Sequence, residues 1–119
     1  MINLPNNDIA FNYTDQEIMN NYQRLTFMLD SAKVQYIVFG SQPRNFSDAN
    51  QRMRLNTLNN ALISRYPGNT NNFLSELSTP DFSIKAIYSE GDGIHLNNGG
   101  HRVIANATLK HPVFIKVIQ

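Results

Sequence analysis

The chain has 119 residues, of which 41% are hydrophobic and 16% are charged, so it has room for one compact domain with a modest core. Ten Lys and Arg against nine Asp and Glu give a formal charge of +1, and no run of like charges supports nucleic-acid binding. Cysteine is absent, which excludes disulfides, thiolate metal sites and cysteine nucleophiles but leaves the cellular compartment undetermined.

The first third of the chain predicts a strand end, a turn and a helix. Ile2 and Leu4 are typical of the end of a strand, and the dense turn signal Pro5-Asn6-Asn7-Asp8 follows directly. A capping box begins at Thr14. Apolar residues then recur at spacings of three and four, which predicts a helix over about 15–32 with one apolar face: Ile18, Tyr22, Leu25 and Leu29.

The middle of the chain predicts a buried strand and a second helix. Residues 34–39 form a nearly continuous apolar run that is typical of a strand buried on both faces of a parallel sheet, and Gly40-Ser41-Gln42-Pro43 ends it. From Ser47 or Asp48 a second amphipathic pattern runs to a stop at Pro67-Gly68, with apolar positions at Leu55, Leu58, Leu62 and Tyr66.

The last third predicts a short helical turn, a strand, a helix and a terminal extended segment. Residues 69–80 are polar and rich in turn formers, with a short helical turn around Phe73 to Leu77. Residues 83–88 predict a strand, and Asn97 or Asn98 caps a helix that runs to Leu109. Residues 113–118 follow Pro112 and predict a terminal strand or an extended segment that covers the sheet.

This alternation of strands and helices predicts an α/β layered fold with a mainly parallel sheet. Functional residues of such sheets gather at the carboxyl ends of the strands. Three loops of the sequence follow predicted strands: Pro5 to Asp8, Gly40 to Asn45, and Glu90 to Asn97. We therefore expect these loops to lie at one edge of the sheet.

Asp92 and His95 are the residues of these loops best suited to catalysis. A carboxylate three residues before an imidazole can reach its Nδ1 hydrogen round a tight turn, fix the tautomer and leave Nε2 free as a general base for a hydroxyl nucleophile. An isolated Asp-x-x-His is weak evidence. The alternative is a surface turn in which Asp92 accepts from backbone N–H groups and His95 is solvated.

The longer string Asp92-Gly93-Ile94-His95-Leu96-Asn97-Asn98-Gly99-Gly100-His101 resembles the C-terminal motif block of the SGNH hydrolases, the GDSL-type esterases and lipases. In that family the triad motif Asp-x-x-His is commonly followed by Leu-Asn and then by Gly-His as the closing helix begins. The resemblance implies that Asp92 and His95 are catalytic. It also implies a flavodoxin-like, three-layer α/β/α fold with a mainly parallel sheet.

The string Asn3-Leu4-Pro5-Asn6-Asn7-Asp8 resembles a second family block, Gly-x-Asn-Asp, which also follows a strand. By this resemblance Asn7 is the oxyanion-hole residue, whose side-chain amide donates to the negative charge of the tetrahedral intermediate. Pro5 stands where the family usually has Gly, which leaves the turn geometry open. The alternative is that Asn6, Asn7 and Asp8 are ordinary turn residues.

The resemblance covers the chain from Met1 to about Leu109 but only the second half of the family's domain. The family's Gly-Asp-Ser block, which carries the serine nucleophile, does not occur in these residues, and neither does the glycine of its second block. We therefore expect residues 1–119 to be a single partial domain with an incomplete N-terminal half. The first strands and the nucleophile would lie outside it, and the chain alone would be inactive.

Ser41 is the best local serine, because it follows a strand and a glycine at the expected functional edge. It lacks both the Gly-x-Ser-x-Gly elbow and Gly-Asp-Ser, so we interpret it as a loop-lining residue, with Gln42 and Arg44 also facing substrate. The sequence predicts no nucleophile within this chain.

Neither a metal nor a cofactor is predicted. His95, His101 and His111 are three imidazoles, but a metal site needs three or four converging ligands, and no other His or acidic pair has convincing spacing. His101 is expected to pack or hydrogen-bond at the start of the last long helix. His111, beside Pro112, is expected at the surface of a helix end.

Two functional hypotheses follow. In the first, the chain is the C-terminal part of a serine ester hydrolase that cleaves a small-molecule ester, such as a lipid or an acylated sugar, through an acyl-serine intermediate. In the second, it is a non-catalytic, truncated or degenerate α/β binding module whose open sheet edge lets copies self-associate. No transmembrane segment is predicted, since no apolar stretch approaches the roughly 20 residues that one needs.

Overall fold

Helices dominate the computed structural model, which describes residues 1–119. Two short strands, β1 (Val38–Phe39) and β2 (Thr70–Asn71), form a parallel sheet, and a single 3-10 turn covers Ala86–Tyr88. None of the helices combines the length and the apolar character that crossing a bilayer requires. The six helices are α1 (Pro5–Ala10), α2 (Asp15–Ser31), α3 (Ala49–Arg65), α4 (Leu74–Leu77), α5 (Asn98–Leu109) and α6 (Pro112–Ile118).

The sheet places three segments of the chain side by side. β1 pairs with β2 in parallel, with Val38 opposite Thr70. On its other edge β1 meets Ile2, whose N–H donates to the Ile37 carbonyl at 3.0 Å and whose carbonyl accepts from the Phe39 N–H at 2.8 Å. The predicted strand end at Ile2 is therefore present as a single parallel bridge.

The apolar core is divided into two clusters. Consecutive strand residues point to opposite faces of a sheet, and Val38 lies in the first cluster while Phe39 packs against the second. The ring of Phe39 meets that of Phe73 edge-to-face with centroids 5.6 Å apart. The first cluster joins α1, α2 and α3 to the sheet through Ile2, Ile9, Ile18, Tyr22, Val38, Leu55, Leu58 and Leu62. The second joins α4 to the 89–97 region through Phe73, Leu77, Ile84 and Leu96.

The three long helices begin at capping residues that the sequence indicates. Thr14 and Glu17 form a reciprocal capping box at the start of α2, with the Thr14 N–H donating to the Glu17 carboxylate at 2.8 Å. Asp48 accepts from the Asn50 N–H at the start of α3, and Asn97 accepts from the Gly100 N–H at the start of α5. The predicted bounds of these helices are confirmed to within a residue or two.

Two predictions near the N-terminus are corrected by the structure. Residues 5–8 are the first turn of α1 and not an open turn, because Pro5 occupies the first helical position, where its fixed φ favours a helix. The predicted strand over 34–39 shrinks to Val38–Phe39. Val34 instead closes the end of α2, where its N–H donates to the Leu29 carbonyl at 2.9 Å, and its side chain is exposed.

Two predicted strands nearer the C-terminus are also wrong. Within 83–88 only Ile84 bridges another segment, with Ser78, and the chain then tightens into the 3-10 turn. Residues 113–118 belong to α6, because Pro112 takes the first helical position and the ring of His111 accepts from the Val113 N–H at 3.3 Å. The second strand of the sheet, Thr70–Asn71, was not predicted.

The α/β character of the chain is confirmed only in its coarse form. A parallel sheet is present, but it has two strands and the molecule is mostly helical, so the three-layer α/β/α architecture that the resemblance implies is not confirmed.

Candidate active site

The loop that carries Asp92 and His95 is closed like a hairpin. Ser89 and Leu96 form an antiparallel bridge, and the Glu90 N–H donates to the His95 carbonyl at 3.0 Å. Gly91 and Gly93 have φ values of 96° and 73°, a backbone region that residues other than glycine rarely adopt. Two glycines thus let the chain turn tightly enough to bring residues 92 and 95 together.

The Asp92 carboxylate is held by three hydrogen bonds within this turn. Its Oδ1 accepts from the backbone N–H groups of Ile94 and His95, both at 2.8 Å, and its Oδ2 lies 2.5 Å from His95 Nδ1. An ionised carboxylate can only accept, so Nδ1 must be the donor. The neutral imidazole therefore carries its lone pair on Nε2, the atom that a general base uses.

Electrostatics and exposure suit this pair to proton transfer. The hydrogen bond from the His95 backbone N–H, together with the His95 side chain and the Ile94 N–H, holds the pKa of Asp92 far below its usual range. The carboxylate consequently stays charged when an imidazolium forms beside it. The His95 side chain is 72% exposed, and its Nε2 makes no hydrogen bond within the chain.

The predicted Asp92–His95 contact is present, and the bonds to backbone N–H groups that the surface-turn alternative requires are present as well. A hydrogen bond between these residues does not by itself distinguish a catalytic pair from a capped turn.

Gln42 connects the His95 loop with the start of α1. Its side-chain Nε2 donates to the Ile94 carbonyl at 3.4 Å, and its backbone carbonyl accepts from the Asn6 amide at 3.5 Å. Ile94 is the neighbour of His95 in the chain, and Asn6 is the neighbour of Asn7. The three loops that the sequence predicted at one edge of the sheet are thus joined through one residue.

Asn45 makes the second connection and was missed by the sequence reasoning. Its backbone N–H donates to the Gly93 carbonyl at 2.8 Å, and its side-chain oxygen accepts from the Ile84 N–H at 2.8 Å. Asn45 also packs closely enough on Gly93 that a Cβ there would lie 3.1 Å from the Asn45 Cβ. An asparagine in a polar loop gives no local signal of such distant contacts.

Asn7 lies in the first turn of α1, exposed to solvent, and its side-chain amide makes no hydrogen bond within the chain. The adjacent Asn6 is instead engaged by the Arg44 guanidinium at 3.2 Å. Gln42 and Arg44 are both half-buried at this edge. The amide that the resemblance assigns to the oxyanion is therefore available, on an element tied to the same loops as His95.

Ser41 does not reach the surface. Its side chain is fully buried, its backbone N–H donates to the Asn59 side-chain oxygen at 3.1 Å, and its hydroxyl oxygen has no hydrogen-bond partner. A buried residue does not line an open surface, which corrects the expectation that Ser41 lines the substrate loop together with Gln42 and Arg44.

Neither of the other two histidines hydrogen-bonds to Asp92 or His95. His101 is exposed in the first turn of α5. His111 is buried and caps α6, which corrects the expectation of a surface residue. No group of three or more His, Asp or Glu side chains is arranged to hold a metal ion.

A scan against protein-family models finds no match to this sequence, and a search of curated proteins finds no match either.

Proposed function

We propose that this chain supplies the acid–base half of a serine ester hydrolase of the SGNH type. The observation that carries the proposal is the Asp92–His95 hydrogen bond, 2.5 Å long, in a loop that Gln42 ties to the start of α1 and that Asn45 holds through Gly93. The segments that carry Asn7 and Asp92 are more than 80 residues apart in the sequence, and both are contacted by Gln42.

The chemistry assigned to His95 follows from its tautomer. Nε2 takes the proton from a serine hydroxyl as that oxygen attacks the ester carbonyl, and it returns the proton to the departing alcohol. Asp92 orients the ring through Nδ1 and stabilises the imidazolium. Because its pKa is strongly lowered, Asp92 remains ionised throughout the cycle.

Asn7 is assigned the role of an oxyanion donor. Its amide is exposed in the first turn of α1 and makes no hydrogen bond within the chain. The preceding residue, Asn6, fixes this turn through hydrogen bonds with the Gln42 carbonyl and with Arg44. A donor of this kind contributes roughly a hundredfold to a thousandfold in turnover. No cofactor enters this reaction.

The finer fold assignment is also part of the proposal. Ile2, β1 and β2 run parallel, and Val38 and Phe39 point into two different apolar clusters. Both features are what a fragment of a three-layer α/β/α sheet would have. In this assignment further strands pair beside Ile2, and the serine nucleophile lies on the segment that precedes Met1 in the parent protein.

Hydrolysis of p-nitrophenyl acetate tests the proposal. We expect no turnover from residues 1–119 alone, and turnover from a version extended by the coding sequence upstream of Met1. His95→Ala in the extended protein should lower kcat by roughly a thousandfold or more. His101→Ala is the matched control, because this exposed imidazole makes no side-chain hydrogen bond, and it should leave kcat within about twofold.

Two results would contradict the proposal: an upstream segment that contains no Gly-Asp-Ser, or full activity in His95→Ala. Activity that Ser41→Ala abolishes in a folded protein would place the nucleophile inside this chain instead.

A self-associating binding module remains the second candidate, and one surface favours it. A groove of about 360 Å³ beside the sheet is lined mainly by apolar side chains, among them Met1, Phe39, Ile104 and Leu109. Met1 and Leu109 are 79% and 56% exposed. Light scattering across a concentration series measures this directly: a concentration-dependent dimer without esterase activity in the extended protein would favour the module.

A further inference from the structure

Arg44 stands out among the cations of this chain because it lies at the candidate site without a carboxylate partner. Arg52 and Arg54 each pair with an aspartate, Asp81 and Asp15 respectively. No carboxylate oxygen lies within 4.0 Å of the Arg44 guanidinium, although its side chain is half-buried. Removing a cation partly from water without a counter-charge costs free energy, so a half-buried, unpaired Arg44 is unusual.

The guanidinium is held in place by uncharged groups. It lies over the ring of Phe46 at 4.9 Å from the centroid, and Nη1 donates to the Asn6 side-chain oxygen at 3.2 Å. A guanidinium has five N–H donors in a planar fork, and this arrangement uses one of them. Arg44 is thus positioned in advance while most of its hydrogen-bonding capacity stays free.

Its neighbours in the chain place Arg44 at the edge that holds His95. Gln42, two residues before it, donates to the Ile94 carbonyl, and Asn45, the next residue, donates to the Gly93 carbonyl. The loop has two carboxylates, Glu90 and Asp92, and neither lies within 4.0 Å of the guanidinium. Asp92 is already committed to His95 and to two backbone N–H groups. No carboxylate of the chain is thus paired with Arg44 in this structure.

We propose that Arg44 binds a carboxylate carried by the substrate, so that the site favours esters with a second, anionic group over neutral esters. This inference rests on the proposed function. A planar fork matches a carboxylate in a bidentate pair. A single cation at this edge suits a singly charged group, because the other cations near these loops, Arg52 and Lys85, are engaged with Asp81 and with backbone carbonyls of α4.

A matched pair of ligands tests the inference without requiring turnover. Monomethyl glutarate and dimethyl glutarate share one carbon skeleton and differ in one negative charge. Each is titrated into the 119-residue chain while amide chemical shifts are followed by NMR. We expect the monoanion to bind about fivefold to tenfold more tightly, with shifts at residues 42–45 and 93–95, and the preference to shrink in 0.5 M salt.

Substitutions separate recognition of charge from support of the loop. Arg44→Gln keeps a donor for Asn6 but removes the charge, so the ratio of the two affinities should fall to about one. Arg44→Lys keeps the charge and should retain a reduced preference of about twofold to fivefold. Arg65→Gln is the matched control, because Arg65 is exposed at the end of α3, and it should leave the ratio unchanged.

Equal affinities in the unsubstituted chain, a preference that survives Arg44→Gln, or shifts centred on other arginines would each overturn the inference. Arg44→Lys keeps it testable if Arg44→Gln does not fold, since loss of all preference in the folded Lys variant is also contrary to charge recognition. An Arg44-dependent preference in a parent protein without esterase activity would support the anion site and contradict the proposed function.

Discussion

Gly40 lies where the chain leaves β1 and enters the loop of Gln42 and Arg44, and the space that its missing side chain leaves is used by Asn59. A Cβ at Gly40 would overlap the Asn59 side-chain oxygen and lie 3.1 Å from the Asn71 carbonyl. That same Asn59 oxygen accepts from the Ser41 N–H at 3.1 Å, while its amide donates to Asn72 at 3.1 Å. An alanine can enter only if Asn59 moves and releases these bonds.

The magnitudes follow from this geometry. Gly40→Ala strands the buried Ser41 N–H, which costs about 1–3 kcal/mol, and adds overpacking, for a total loss of about 2–4 kcal/mol in the free energy of unfolding. Asn59→Ala alone strands the same N–H without a clash and costs about 1–3 kcal/mol. The double variant should cost about 1 kcal/mol more than Asn59→Ala, because the overlap with Asn59 is gone and its bond is already lost, while the 3.1 Å contact with the Asn71 carbonyl remains.

Urea denaturation of the four proteins in this cycle measures the coupling. We expect the loss in the free energy of unfolding of the double variant to be about 1–3 kcal/mol smaller than the sum of the two single losses. Gly68→Ala is the control, because a Cβ there meets nothing within 4 Å, and it should change stability by less than about 0.5 kcal/mol. Losses that add to within about 0.5 kcal/mol would refute the reasoning that Asn59 is what forbids a side chain at residue 40.

Three further predictions concern other supports of the site and fold. Tyr22→Phe removes the buried phenol oxygen that accepts from the Leu4 N–H at 3.0 Å ahead of α1, so urea denaturation should register a loss of about 1–3 kcal/mol. Thr14→Ala removes the cap of α2 and should cost about 0.5–2 kcal/mol by the same measurement. Folding holds the pKa of Asp92 down, so its stabilisation is present above the ordinary carboxyl range and is lost as the pH falls through the lowered value. Asp92→Asn should therefore lower the thermal midpoint at pH 7 and lose that difference in acid; a deficit that persists unchanged in acid would contradict the assignment.

Local signals in the sequence predicted the long helices well. The capping box at Thr14 and the caps at Asp48 and Asn97 are decided within four residues of the chain, and apolar spacing gives the buried face. The Asp92–His95 contact is local too, since three residues and two glycines suffice to form it.

Distant contacts explain most of the failures. The apolar run 34–39 has strand character throughout, but a strand extends only as far as its partners do, and Ile2 and Thr70–Asn71 offer β1 very short ones. β2 itself is made of polar residues that give no strand pattern. In residues 113–118 the β-branched composition favours a strand, but Pro112 at the first helical position and the His111 cap start a helix there.

In the candidate site, too, local motifs were predictable from the sequence and distant contacts were not. Sequence motifs named Asp92, His95 and Asn7, whereas the residues that tie their loops together depend on contacts across 36 to 52 positions, as in the bonds of Gln42 to Asn6 and to Ile94. The sequence also does not predict which loop residues are buried. Ser41 and Arg44 are three residues apart in one loop, yet Ser41 is fully buried and Arg44 is half-buried.

Labelling with a fluorophosphonate tests the central claim most directly, because the probe reacts with a serine only where a base activates its hydroxyl. We predict that the protein extended upstream of Met1 is labelled at a Gly-Asp-Ser serine, located by mass spectrometry, and that His95→Ala abolishes the labelling while His101→Ala does not. Labelling that persists in His95→Ala, or an extended protein that carries the serine and is never labelled, would contradict the claim that Asp92 and His95 serve a serine ester hydrolase.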